Sequence, residues 1–305
     1  MRVRLLLLIA LLLALPPTAA AGDGPPTEVD AGPSGIVDAT TGERLTATPA
    51  GMHHTVLARS QVAGGRIWRT AVLKGRWGVP VVAYDGTSGG LAPAAERLVL
   101  MHPNFRADRK VSRFLVVGAR WLRVRQAIAL EGHWNFDALS PDGSTLYLIQ
   151  SLSRRDAARY AVRAYDLRAH RLLPKPIVDP SEPDEPMRGY PSTRITGPDG
   201  RWEYTLYVGG DEPFIHALDT VRRTSICIDL PRQVNRSRNP WGLKLKLRGD
   251  TIAVVNRDRT LATAKRDPGQ SSAGGGPPWV AALLVATGLL AAAGVRRASR
   301  SAHPR

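Results

Sequence analysis

His133-Trp134-Asn135, with Asp137 two residues further on, places an imidazole, an indole, an amide and a carboxylate within one short stretch. A flat ring stacks on a sugar or aromatic face, an amide offers donor and acceptor together, and histidine exchanges a proton near neutrality. Related clusters recur along the chain: His53 with His54, His102 with Asn104 and Arg106, Arg188 with Tyr190, and Asn239 with Trp241. Such a set suits a sugar or a peptide. The expected ligand-binding residues are therefore His54, His102, Asn104, His133, Trp134, Asn135, Arg188, Tyr190 and Trp241. The competing reading is that His133 and Trp134 fill space and satisfy loop carbonyls.

Other chemistries assemble less well. The histidines lack the fixed spacing of a motif such as HExxH, so no metal and no cofactor is expected. Asp179, Glu182, Asp184 and Glu185 lie in a Pro-rich stretch ending at Pro186, but their spacing is not that of a calcium loop. A solvated, extended loop is expected there. No G-x-S-x-G nucleophile signature occurs. Cys227, the single cysteine, sits in the apolar run Ser225-Ile226-Cys227-Ile228 and reads as a buried, inert thiol with no disulfide partner. No catalytic residue is assigned.

The elements that must hold these residues announce themselves by repetition. Ser140-Pro141-Asp142-Gly143 precedes Leu146-Tyr147-Leu148 and then Ala164-Tyr165-Asp166-Leu167; Gly197-Pro198-Asp199-Gly200 precedes Leu206-Tyr207-Val208 and then Ala217-Leu218-Asp219-Thr220. Each copy reads as a turn, an apolar strand, a loop and a second strand closing on an Asp-headed turn. The repeated aspartates and glycines serve turn geometry. Strand-like alternation also covers His54–Gln61, Arg66–Leu73, Val79–Tyr84, Arg97–Met101, Arg113–Gly118, Trp121–Leu130, Leu243–Leu247, Thr251–Val255 and Arg259–Thr263. An array of such units predicts an all-β fold, a β-propeller of about five four-stranded blades. Gly35–Thr46 looks like a strand without its blade, and the last unit lacks an outer strand. Pairing the two chain ends would close the ring. Loops leading into the innermost strands would then converge on one axial face, carrying the histidines and tryptophans.

Length and charge frame this core. Met1–Arg4 is basic and Leu5–Leu15 is an apolar run ahead of Ala19 and Ala21, so residues 1–21 read as a secretory signal. Residues 22–34 form a flexible leader, 35–266 the propeller and 267–278 a Gly/Ser/Pro tether. Residues 279–295 form a C-terminal transmembrane helix, and 296–305 a basic cytoplasmic tail by the positive-inside rule. The expected location is the cell membrane, with one span and the bulk of the chain outside. The whole chain has a net charge of +16, and nearly all the base is arginine. Such a field favours anionic envelope polymers, lipid head groups or acidic proteins. No nucleic-acid partner is expected for an exported chain, and a GC-rich, actinobacterium-like genome accounts for much of the arginine and alanine.

Leu206-Tyr207-Val208-Gly209-Gly210, followed by Ile215-His216-Ala217-Leu218-Asp219-Thr220 and Ile226, resembles the YVTN-type propeller repeat, a relative of WD40-like, quinoprotein-like and lactonase-like propellers. Leu146–Leu148 with Tyr165–Leu167 fits the same pattern, and Gly35–Leu45 matches only its Asp-x-x-Thr-Gly tail. The resemblance covers about 100 residues and implies fold, not activity. The leading functional expectation is a non-enzymatic, membrane-tethered module that binds a protein, a peptide or an envelope component. The alternatives are a lactonase-like propeller hydrolase or lyase with its site on the axial face, and a sensory ectodomain working through a membrane partner.

Overall fold

The computed structural model describes residues 29–103, 110–153, 159–184, 187–209, 212–236 and 242–266. They form six antiparallel sheets. The shortest pairs β1 (Val29–Asp30) with β6 (Val79–Pro80). Five meanders follow, each with its strands side by side in chain order. The first contains β2 (Ile36–Asp38), β3 (Glu43–Ala50), β4 (His54–Gln61) and β5 (Ile67–Lys74). The second contains β7 (Leu91–Ala92), β8 (Arg97–Met101), β9 (Val111–Gly118) and β10 (Arg123–Glu131). The third contains β11 (Trp134–Leu139), β12 (Thr145–Ser151), β13 (Tyr160–Asp166) and β14 (Arg171–Ile177). The fourth contains β15 (Tyr190–Thr196), β16 (Trp202–Val208), β17 (Phe214–Asp219) and β18 (Thr224–Asp229). The fifth has three strands, β19 (Leu243–Arg248), β20 (Thr251–Asn256) and β21 (Arg259–Lys265).

Alternation explains most of these strands. In β19, Leu243 and Leu245 are buried while Lys244 and Lys246 are exposed, the period of a half-buried strand. The central strands β12 and β16 bury both faces and read as near-continuous apolar runs. Each sheet packs against the next. Leu45, Leu57 and Leu73 of the first meet Leu98, Leu100 and Leu115 of the second. Phe114 and Val116 then meet Phe136, Leu146 and Leu148 of the third. Tyr147, Val162 and Ile177 meet Leu218 of the fourth. Tyr204, Leu206 and Ile215 meet Leu245, Ile252 and Val254 of the fifth. Fully burying one such side chain contributes about 1.5–3 kcal/mol, so these interfaces carry the fold.

The turns use aspartate as expected. Asp142 Oδ1 accepts the Ser144 N–H and Asp199 Oδ1 that of Arg201. Asp166 and Asp219 each accept two successive turn amides.

Two expectations are corrected. Gly35–Thr46 does not complete the last sheet: β2 pairs with β3 inside the first sheet, and the fifth sheet keeps three strands among the described residues. The reason is local. Asp38 accepts the Thr40 N–H through its side chain and the Gly42 N–H through its carbonyl, folding the chain straight back on itself. The second correction concerns the repeat register. Tyr147 and Tyr204 occupy the same position, each third in its strand and opposite an alanine, Ala164 or Ala217. Each phenol reaches a distant backbone carbonyl, Thr220 O at 2.8 Å and Arg266 O at 2.5 Å. Tyr207 therefore does not match Tyr147 and points to the opposite face from Tyr204. The signal, tether, span and tail lie outside the described residues, and no described helix is long and apolar enough to cross a membrane.

Candidate functional site

The expected site residues fall at several places. His54 opens β4, the third strand of its sheet, and is exposed. His102 follows β8, half-buried, its Nδ1 3.0 Å from Pro103 O and its ring edge-on to Trp77 at 5.7 Å. Tyr190 starts β15 and meets Tyr84 edge-on at 5.8 Å. Asn104 and Trp241 lie outside the described residues.

Trp134 belongs to a corner built twice. Its Nε1 donates to Glu131 O at 2.7 Å, and its backbone N–H donates to Ser112 Oγ, which in turn donates to Gly132 O. At the preceding junction Trp77 Nε1 donates to Lys74 O, Trp77 N–H to Thr55 Oγ1, and that hydroxyl to Gly75 O. Gly75 and Gly132 both have positive φ, +98° and +93°, the turn that swings each tryptophan beneath its sheet. Trp134 is thus anchored through both of its N–H groups and lies in the core with Phe136 and Leu148.

The segment Val81–Gly90 reaches across to the first strands of the fourth and fifth sheets. Tyr84 and Asp85 donate their N–H groups to Pro191 O and Ser192 O. Asp85 Oδ2 accepts from Thr193 Oγ1 at 2.7 Å and Lys244 Nζ at 2.8 Å. Burial opposes its charge, and the Lys244 and threonine hydrogen bonds outweigh that, holding its carboxyl below the usual range. The segment is a structural strut against those first strands.

The open space lies elsewhere. A cavity of about 790 Å³ lies between the third and fourth sheets, lined by residues 178, 179, 182–184, 187 and 188 of the connection between them. Its apolar wall is Tyr160, Val162, Ile177 and Phe214, and Arg188 stands at its edge. Tyr207 stacks between Tyr160 (5.9 Å) and Phe214 (5.1 Å) behind that wall. Among the described residues five carboxylates line it, Asp179, Glu182, Asp184, Glu212 and Asp229, against two guanidinium groups, Arg159 and Arg188, and Glu212 also pairs with Arg232 at 2.6 Å. In a chain with net charge +16 this is a local inversion of sign. Asp179 ties the connection down: Oδ2 accepts the Cys227 N–H (2.7 Å), while Oδ1 accepts the Ser181 N–H and hydroxyl. Met187 bridges to Tyr160 at the other end. In its described part the Pro-rich stretch is the solvated loop expected, with residues 180–184 exposed, and Asp179 pins it beside the cavity. Cys227 is half-buried and lines that cavity instead of lying inert in the core.

A polar layer continues inward between the same two sheets. Arg194 of β15 reaches Asp137 of β11 in a fully buried ion pair and donates from Nε to Thr205 Oγ1 at 2.7 Å. Glu203 is pushed up to about 7 by burial, against the pull of Arg194 and a Thr196 hydrogen bond. His216 is 4 % exposed, and neither ring nitrogen has a hydrogen-bond partner among the described residues. Burial drives its pKa down to about 4, so it is neutral at pH 7. It lies directly opposite Cys227 and two residues from Phe214, on the strand face that walls the cavity. Asn135 is likewise buried, facing the fourth sheet opposite Ile149, with neither amide atom paired among the described residues. His133 Nδ1 lies 2.8 Å from Ser151 Oγ on that same face.

Of the residues singled out in the sequence for an axial face, Asn135, His133 and Arg188 lie here, between the third and fourth sheets; Arg194, Glu203, Tyr207, Phe214 and His216 were not singled out as site residues. The available signal was difference between repeats. Tyr207 and His216 have no counterparts at the matching positions of the third sheet, Gln150 and Arg163.

No family model and no curated protein matches the chain. Solved structures to which it is similar include a functionally unknown protein from Desulfotomaculum acetoxidans (11 % identity, 72 % of this chain and 61 % of that one, TM-score 0.43). They also include the β-propeller domain of the Trilobed protease from Pyrococcus furiosus (14 %, 52 % and 44 %, TM-score 0.33). TolB from Acinetobacter baumannii is a third (12 %, 64 % and 42 %, TM-score 0.35). The chain spans less than two thirds of the length of each of these structures.

Proposed function

We propose that the five meanders are the blades of an extracytoplasmic propeller, exported by residues 1–21 and held to the membrane by residues 279–295, that acts as a binding module. Its ligand is a peptide or protein segment carrying a basic side chain, received in the cleft between the third and fourth sheets. The observation that carries this reading is the cavity of about 790 Å³ with its excess of carboxylates and its aromatic wall. An aliphatic ammonium or guanidinium stem packs on Tyr160 and Phe214 while its charge meets Asp184 and Asp229. A low-dielectric wall strengthens that attraction relative to an open surface. Calorimetric titration of the full-length chain with tetralysine and with tetraglutamate tests it. Tetralysine binds, D184N/D229N weakens it about tenfold or more, and tetraglutamate gives no heat. Equal binding by wild type and D184N/D229N, or no binding by either, refutes the cationic ligand at this cleft.

A further inference from the structure

Exposed apolar side chains are not spread evenly over the described surface. Val62, Ile67, Trp68, Val72, Trp121 and Val124 all lie on the outer strands, or the hairpin tips, of the first two sheets, and each is 46–68 % exposed. The two tips touch. Arg69 stacks on the Trp121 ring at 4.5 Å, and Arg59 Nη1 donates to Arg120 O at 3.4 Å. Arg66 covers the Trp68 ring at 4.1 Å, and Arg120 lies 5.4 Å from that of Trp121. Arg123 and Arg125 extend the rim as exposed residues of β10. The carboxylates nearby, Glu43 and Glu96, are paired with Arg59 and Arg120. The two edges therefore carry apolar and aromatic side chains beside arginines in excess of acids, with Val72 on the face of β5 opposite Arg69.

We propose that this rim docks on the surface of an anionic lipid bilayer. Indoles and guanidinium groups side by side are the composition of the bilayer interface, where the ring enters the headgroup layer and the cation stays with phosphate. Aliphatic side chains as exposed as Ile67 and Val72 gain by leaving water, which a soluble acidic polymer does not offer them. Charge complementarity sets the lipid: each arginine near an anionic surface multiplies affinity about fivefold. A molecule tethered by a short linker samples that surface continually. Docking the rim fixes which way the cleft faces.

The test places a nitroxide at position 72 (V72C, with C227S) in the full-length chain on nanodiscs of phosphatidylcholine alone or mixed with phosphatidylglycerol. On the anionic discs the label becomes accessible to oxygen and shielded from a water-soluble nickel chelate; a control label at V221C, in the β17–β18 turn, stays in water. R66Q/R69Q/R123Q lowers the docked-to-undocked ratio about a hundredfold, and W68S/W121S lowers it at unchanged charge. Raised salt weakens docking. The label reports rim contact whether or not residues 279–295 insert, so it is independent of the anchor. A label at 72 equally open to the nickel chelate on both discs overturns the proposal. So does shielding without oxygen access, which would mark a protein or polymer face.

Discussion

Trp134 and His216 exchange the roles that their residue types suggest. The tryptophan has the chemistry of a sugar platform, yet both of its N–H groups are tied, the indole to Glu131 O and the backbone to Ser112 Oγ. W134A should cost on the order of 3–5 kcal/mol of stability. W134F, which removes the Glu131 bond, should cost about 1 kcal/mol. Urea unfolding reads both, and an unchanged midpoint for W134A would refute the anchor role. His216 and Glu203 predict opposing pH dependences. Neutral His216 protonates near 4 in the fold against 6.5 when unfolded, so its stability contribution is present above 6.5 and is lost as pH falls towards 4. Glu203, raised to about 7 from 4.5, contributes below 4.5, and that contribution is lost as pH rises through 7. Between these limits the two oppose each other and the wild type varies little. E203Q should gain stability as pH rises from about 4 to 6.5, by up to about 3 kcal/mol. H216F should lose stability as pH rises from about 4.5 to 7, by less, because Glu203 retains partial access to water. Parallel pH curves for both variants would refute the assignment.

At the scale of elements, strands such as His54–Gln61 and Arg97–Met101 were legible residue for residue, because alternation is written locally and needs no knowledge of a partner. The partner of β2 was not legible. An unpaired strand at each end invites long-range closure, but a four-residue Asp38 turn forms its hairpin at far lower entropic cost. The Tyr147 register also needed the structure, since Leu-Tyr-apolar occurs in both units but three residues out of step. Tyr147 predicts a link between sheets. Y147F leaves Thr220 O without its buried donor and should lower stability by about 1–3 kcal/mol, whereas Y207F leaves that bond intact. Equal midpoints for wild type and Y147F would contradict the link.

For the whole molecule, each sheet contacts chiefly its neighbours in sequence, so protection should be graded across sheets instead of uniform. Hydrogen exchange should be slowest in β12 and β16, which bury both faces between flanking strands. It should be fastest in β5 and β21, edge strands with largely exposed or half-buried side chains. Fast exchange in β12 with slow exchange in β5 would overturn that order. The net charge acts at this scale too. An excess of arginine reads from composition as a general preference for anions, but folding sorts it into a basic aromatic rim and an acidic cleft.

By itself the sequence determined an all-β chain, the extent of most strands, the structural service of the repeated aspartates, and a third unit whose first strand carries Asn135, directly after His133. Those features depend on residues near one another along the chain, where alternation and turn chemistry act. Only the tertiary structure decided that Trp134 is an anchor, that Asp179 pins the Pro-rich acidic loop to the fourth sheet, and that a cavity lies between the third and fourth sheets. Each of these depends on residues brought together from different sheets, such as Asp137 with Arg194 or Asp179 with Cys227, whose meeting no local pattern encodes.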